Sequence, residues 1–237
     1  MNQDETPDPI TDDTQPLLVC GATTLNRVAK ERNWRPGTFL NDNFDFEIWR
    51  DGYGADCVLN GDARVCTIGE AHTLDVTEDV FVRPTDDSKA FTGQTMDAEQ
   101  FKIWYNHINK LSDIQKGNGP RSDTQIVVSS VKNIKAEYRF FVVNRTVVTG
   151  SMYKLGNTVM SSSRIDEHVR RFADEMTFHW EPADAYVIDV AETDQGMKVV
   201  EINNINSAGF YDCDVQKIVM AIEDLVKYGR TKHTNVL

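Results

Sequence analysis

Residues 199–211, VVEINNINSAGFY, put one carboxylate and three side-chain amides in a short run directly after a β-branched pair. Side chains alternate along a strand. In KVVEIN (198–203), Val200 and Ile202 are therefore expected to face a core, and Val199, Glu201 and Asn203 to face the other way. Glu201 and Asn203 would then lie on the order of 7 Å apart between Cα atoms. A strand at 185–191 adds Asp189, approximately opposite Glu201 if a hairpin closes near Asp194–Gln195. Facing carboxylates repel unless something compensates them, and a divalent cation does so. Magnesium takes carboxylate and amide oxygens and keeps positions open for substrate phosphates. The competing reading has Asp189 solvated and the asparagines making turn hydrogen bonds.

A phosphate-bearing substrate calls for basic partners, and FVRPTDDSKAFTGQ (81–94) offers them. Arg83 interrupts an apolar strand, where a charge is costly without an anion. Lys89 lies in a Ser/Thr/Gly loop whose backbone N–H groups suit a phosphate, with Gly93 allowing close approach. Taken alone, Lys89 reads better as a solvated loop lysine. AEYRFFVV (136–143) repeats the oddity with Arg139, and GSMYK (150–154) ends on Lys154. An ion pair between Arg139 and Glu137, which alternation puts on one face, is an equal alternative for that arginine. Joined, these basic residues and the acidic cluster have the make-up of one nucleotide site split between two subdomains.

The elements that must position them alternate in type. PLLVC reads as a first strand, 22–32 as a short helix, DCVLN as a second strand, and DVFVRP as a strand stopped by Pro84. MDAEQFKIWYNHINKL is a helix capped by Asp97 with Gln100 three later, burying Phe101, Trp104, Ile108 and Leu111. After the loop KGNGPRSD come strands TQIVVSSV and AEYRFFVV, then a turn at NRTV into VVTGSMYK. Residues 165–177 form an amphipathic helix with Ile165, Val169, Phe172 and Met176 inward. AYVIDVA and MKVVEIN flank the turn ETDQG. A last helix starts at Asp212 as N-cap, buries Val215, Ile218, Val219, Ile222 and Leu225, and ends before Gly229. The class is α+β.

The 237 residues, 40% hydrophobic and 26% charged, suffice for one large domain or two small ones. A net charge of −12 makes nucleic acid a poor partner. The four cysteines (Cys20, Cys57, Cys66, Cys213) show no C-x-x-C spacing and the five histidines no H-x-x-x-H pattern, which argues against zinc. No run reaches the roughly 18 apolar residues of a membrane span. With no signal-peptide pattern, cytoplasmic residence is the expectation. MNQDETPDPITDDTQP, with five acidic residues, no basic ones and three prolines, reads as a disordered tail.

The order of these motifs resembles an ATP-grasp domain: a strand with a basic residue, a loop, a helix, a linker strand, E-x-R on a strand, then D…E-x-N before a helix. More narrowly, FVRPTDDSKAFTGQ, AEYRFFVV, GSMYK and VVEINNINSAGFY resemble a clade of phages and bacteria with arginine in place of the first nucleotide-binding lysine. The resemblance implies a tail at 1–15, a reduced N-terminal α/β domain at 16–78, an ATP-grasp domain at 79–228 whose two α+β subdomains clasp ATP, and a tail at 229–237. It implies Arg83 and Lys89 on the α- and β-phosphates, and backbone groups of Ser130 and Val131 on the adenine edge. Glu137 would bind ribose or position Arg139. Arg139 and Lys154 would face the γ-phosphate or an acyl-phosphate, and Asp189, Glu201 and Asn203 would hold magnesium. Asn206, Ser207 and Gly209 would border the acceptor substrate. The activity implied is an ATP- and magnesium-dependent carboxylate–amine ligase acting on small-molecule or peptide substrates. An ATP-binding regulatory or structural module without ligase chemistry is the alternative. A metal-dependent nuclease fits poorly, because Asn203 stands where E-x-K would put lysine.

Overall fold

The computed structural model describes residues 17–19, 23–39, 44–85, 90–111 and 119–229. The acidic N-terminal tail, Cys20, Lys89, the start of the KGNGPRSD loop and the chain beyond Gly229 lie outside the described residues.

β1 (Leu17–Leu18), α1 (Thr23–Glu31) and β2 (Pro36–Gly37) come first. They are followed by α2 (Phe46–Tyr53), β3 (Arg64–Thr67), β4 (Val80–Pro84), β5 (Gln94–Met96), α3 (Ala98–Lys110) and β6 (Gln125–Ser130). Then come β7 (Ile134–Val143), β8 (Thr146–Leu155), β9 (Thr158–Ser162), α4 (Glu167–His179), β10 (Ala185–Thr193), β11 (Gly196–Asn203) and α5 (Val215–Tyr228). One sheet has the order β3-β6-β4-β5 and another β11-β10-β7-β8-β9, with β1 and β2 pairing in parallel by themselves. The fold is α+β, as the sequence led us to expect.

The chain divides into two compact units. One comprises Met1–Asp42, Glu137–Asp189 and Ile202–Leu237, the other Asn43–Ala136 and Val190–Glu201. In the first unit, Phe141, Val143, Ala185 and Val187 pack with Ile218, Ile222 and Leu225 of α5. That stripe is narrower than the sequence suggested, since Val215 and Val219 are each 44% exposed. Val219 is one residue, about 100° of helix, off the buried stripe. The N-cap is Asp214, which accepts from the Lys217 N–H, while Asp212, expected in that role, accepts from the Ser163 N–H. In α4 the buried face is Val169, Ala173, Met176 and Thr177, with Phe172 only half-buried and Ile165 ahead of the helix. At the NRTV turn Asn144 and Arg145 both have positive φ, 50° and 61°. A tight hairpin whose twist matches its strands requires that.

In the second unit, Val80, Val82, Ile126 and Val128 of the sheet pack against Phe101, Tyr105 and Ile108 of α3. The capping box at Asp97 and Gln100 forms: Gln100 N–H donates to Asp97 Oδ1 at 2.8 Å and Asp97 N–H to Gln100 Oε1 at 3.1 Å. DCVLN is not a strand. Ala55–Cys57 is a short 3₁₀ turn, and only Val58 bridges, to Val199. This contact also corrects the face assignment in β11. Val199 is fully buried, with its carbonyl accepting from the Leu59 N–H at 2.8 Å, whereas Val200 is only half-buried.

Candidate active-site clusters

In the first unit the polar centre is built on two neighbouring strands. Every residue from 185 to 191 of β10 is buried, and Asp189 is 1% exposed. An ionised carboxylate in such a place requires a partner. Arg139 of β7 supplies it as a fork, Nε to Oδ1 at 2.8 Å and Nη2 to Oδ2 at 2.6 Å. Bidentate, charge-assisted pairs of this kind are the strong ones. The same guanidinium donates from Nη1 to the Gly209 carbonyl at 3.4 Å. Burial pulls its pKa down, but the hydrogen bonds and charge of Asp189 outweigh this and raise it above the ordinary arginine value. Glu137, weighed as an alternative partner for Arg139, forms a different pair. Glu137 accepts from Lys154 Nζ at 2.6 Å and from the Tyr153 hydroxyl at 2.7 Å.

Two residues expected at the acceptor substrate differ in placement. Gly209 lies beside Arg139, but Asn206 is 1% exposed. Its Oδ1 accepts from the Phe39 N–H at 2.8 Å and its Nδ2 donates to the Val19 carbonyl, so its amide brackets the β1 and β2 segments. Ser207 ends the short 3₁₀ turn Ile205–Ser207, and its side chain lies outside the described residues. Asn203, on β11, is half-buried. Burial pushes the Cys213 thiol up to about 12.

In the second unit Arg83 of β4 meets Glu201 of β11 at 3.3 Å. Its guanidinium carbon also stands 5.7 Å from the Phe46 ring centroid and 5.6 Å from that of Trp49. Each cation–π contact of this kind contributes on the order of 0.5–2 kcal/mol. The cost of an arginine in this strand is thus offset by a carboxylate and two aromatic faces. The sequence reading missed α2, which carries those rings. The signal was present: Asp45 as cap, then Phe46, Trp49 and Tyr53 at helical spacing. Gly93 has a packing role, because a Cβ there would come 2.7 Å from Phe81 Cζ and 3.3 Å from Arg83 Cβ. Lys89 lies outside the described residues.

Ser130 ends β6 in a polar knot that was not anticipated. Its N–H and Oγ both donate to Asp62 Oδ2, at 3.2 and 2.6 Å, and Lys132 Nζ donates to Asp62 Oδ1 at 2.7 Å. Val131 is 44% exposed. Burial pushes the Asp62 carboxyl up, but the bonds from Lys132 and Ser130 outweigh it and leave the pKa below 3.8. A depressed folded value means that Asp62 contributes stability above its ordinary pKa and loses it as pH falls through the folded value. Asp62→Asn is therefore expected to lower Tm at neutral pH, by a small amount because the pair is screened. The gap from the parent should close as pH is lowered past 3.8. Thermal melts across an acid series check this.

Among the described residues no three His, Cys, Asp or Glu side chains group closely enough to hold a metal by themselves. The described residues thus form an α+β chain with two antiparallel sheets, each carrying a strand arginine against a carboxylate. The chain belongs to the family described as ATP-grasp domain, R-2-K clade family 3, whose pattern matches residues 13–222. Among solved structures it is similar to D-alanine–D-alanine ligase from Bacillus anthracis complexed with ATP, at 12% identity and a TM-score of 0.54, covering 84% of this chain and 73% of that one. It is similar to D-cycloserine synthetase DcsG at 12% identity and a TM-score of 0.52, covering 78% and 71%. It is also similar to a RimK-domain ATP-grasp protein from Sphaerobacter thermophilus at 17% identity and a TM-score of 0.51, covering 70% and 60%. At these identities the likeness is one of fold, and the fold is ATP-grasp. No curated protein matches the sequence. No helix among the described residues is long and apolar enough to cross a membrane.

Proposed function

We propose that this chain is an ATP- and magnesium-dependent carboxylate–amine ligase working through an acyl-phosphate. The observation that carries the reading is the Arg139–Asp189 fork, held beside the Lys154–Glu137 pair in a chain of the ATP-grasp family. Arg139 and Lys154 face the transferred phosphoryl group and stabilise charge on its equatorial oxygens. Arg83, standing where most ATP-grasp enzymes have lysine, binds the α- and β-phosphates with Lys89. Backbone groups at Ser130 and Val131 meet the adenine edge, with Asp62 ordering that segment. Glu137 serves as the positioning group, for Lys154 rather than Arg139. Ser207 and Gly209 border the acceptor.

Asp189, Glu201 and Asn203 are the proposed magnesium ligands. Their donor set fits, being all oxygen and twice anionic, as a hard cation requires. A carboxylate offers about four lone-pair sites, so one carboxylate can serve a guanidinium fork and a cation together. When bound, magnesium neutralises charge on the β- and γ-phosphates. A carboxylate oxygen of the substrate takes the γ-phosphoryl group, releasing ADP. An amine nitrogen then attacks the acyl carbon, phosphate leaves with the bonding pair, and the ammonium sheds a proton to give the amide. The similar structures named a ligase and a synthetase support this reaction class.

The test is an ADP-release screen of amino acids and short peptides with hydroxylamine present. Hydroxylamine converts an acyl-phosphate to a hydroxamate even when the natural amine is unknown. Carboxylate-dependent ADP release with hydroxamate is the expected result. Binding of ATP by calorimetry with no ADP release from any mixture would replace the ligase with a nucleotide-binding module.

A further inference from the structure

We infer that Tyr153 and Tyr211 are positioning residues that set the two cations of the first unit, Arg139 directly and Lys154 through Glu137. The inference rests on the proposed roles of Arg139 and Lys154. Their side chains form one connected cluster. The Arg139 guanidinium carbon lies 5.6 Å from the Tyr153 ring centroid and 5.2 Å from that of Tyr211. The two rings stack, 5.0 Å apart and 14° from parallel. The Tyr153 hydroxyl donates to Glu137 Oε2, while Lys154 holds Oε1. Tyr153 thus touches one cation with its ring and reaches the other through one carboxylate.

Two backbone features brace this cluster. Alternation sends Tyr153 and Lys154 to opposite faces of β8, yet both bond Glu137. Here the pairing with β9 slips: Met152 faces Ser162, but Lys154 faces Val159. Such bulges increase local twist and re-aim side chains beside active sites. Tyr211 has φ 49°, a left-handed conformation uncommon for a bulky residue. The residues after it are tied to β8. Asp212 N–H donates to Ser151 Oγ at 3.3 Å and Asp214 N–H to Thr149 Oγ1 at 3.0 Å. Strained backbone persists where its surroundings over-determine it, and it gathers at functional sites.

The experiment uses the full chain and compares Tyr211→Leu, Tyr211→Phe, Tyr153→Phe and Arg139→Lys. One arm is kinetic, reading ADP release with hydroxylamine. The other is the Arg139 Nε–H signal in a nitrogen-15 NMR spectrum, assigned by its loss in Arg139→Lys. Tyr211→Leu is expected to lower kcat about tenfold, the scale of one cation–π contact, with KM for ATP within about twofold, and to broaden the Nε–H signal by exchange. Tyr211→Phe, which keeps the ring, should restore most of both. Tyr153→Phe should lower kcat while leaving the Arg139 signal in place, because the bond to Glu137 is lost and the ring facing Arg139 is kept. An unchanged Nε–H signal in Tyr211→Leu overturns the proposal. So does an unchanged kcat in that variant while Arg139→Lys is impaired. A changed signal with no kinetic effect of Arg139→Lys upholds the positioning and overturns the catalytic role of Arg139 instead.

Discussion

Asp189→Asn should lose turnover and, in the same protein, about 3–5 kcal/mol of stability, the range for removing one partner of a buried ion pair. The substitution is nearly isosteric, so the loss comes from charge. Asp189 is 1% exposed and the Arg139 side chain 11%, so the guanidinium left behind is desolvated without its counter-ion. Denaturant unfolding at neutral pH measures the stability, and ADP release the turnover. The control is the double variant Arg139→Met with Asp189→Leu. Replacing a buried pair by apolar residues of similar volume is often neutral or stabilising, so that variant should recover stability and stay inactive. Parent-like stability in Asp189→Asn would mean that the fork carries no net energy in the folded state.

Glu201→Gln should lose at least about 10²–10³ in kcat, the scale of removing one electrostatic stabiliser of a transition state, with the fold intact. Glu201 also meets an arginine, Arg83 at 3.3 Å, but its side chain is 36% exposed and that of Arg83 16%. Water screens this pair, and exposed pairs contribute at most about 1 kcal/mol. The Phe46 and Trp49 faces also remain to hold Arg83 after the charge is gone. The two variants together separate structure from chemistry: one loses both stability and turnover, the other turnover alone. Raising magnesium in the assay should partly recover Glu201→Gln if Glu201 is a ligand. Full activity of Glu201→Gln at low magnesium would remove it from the proposed metal set.

The residues that read correctly from sequence did so through local physics. Asp97 followed by Gln100 is a capping box whatever surrounds it, and Asn144–Arg145 is a turn with positive φ in both residues. Placing Arg139 between apolar neighbours marked it as a residue needing a partner, and placing Asp189 approximately opposite Glu201 marked it as a carboxylate needing compensation. Their partners were not legible. Alternation offered Glu137 to Arg139 from two residues away, but the fold chose Asp189, 50 residues distant, because β7 and β10 are neighbours in the sheet. The Asn206 bracket, the Asp62 knot on Ser130 and the aromatic faces under Arg83 likewise join segments far apart in the chain.

By itself the sequence determined most of the longer elements, the α+β class and the set of charged residues set into apolar strands, but not α2 or the 3₁₀ turn read as a strand at DCVLN. These follow from side-chain period, caps and turn chemistry, which act over a few residues. Only the tertiary structure decided which carboxylate each cation meets and how deeply each pair is buried. Strand order and burial set the local dielectric, and with it whether removing one partner of a pair such as Arg139–Asp189 or Arg83–Glu201 costs several kcal/mol or almost nothing.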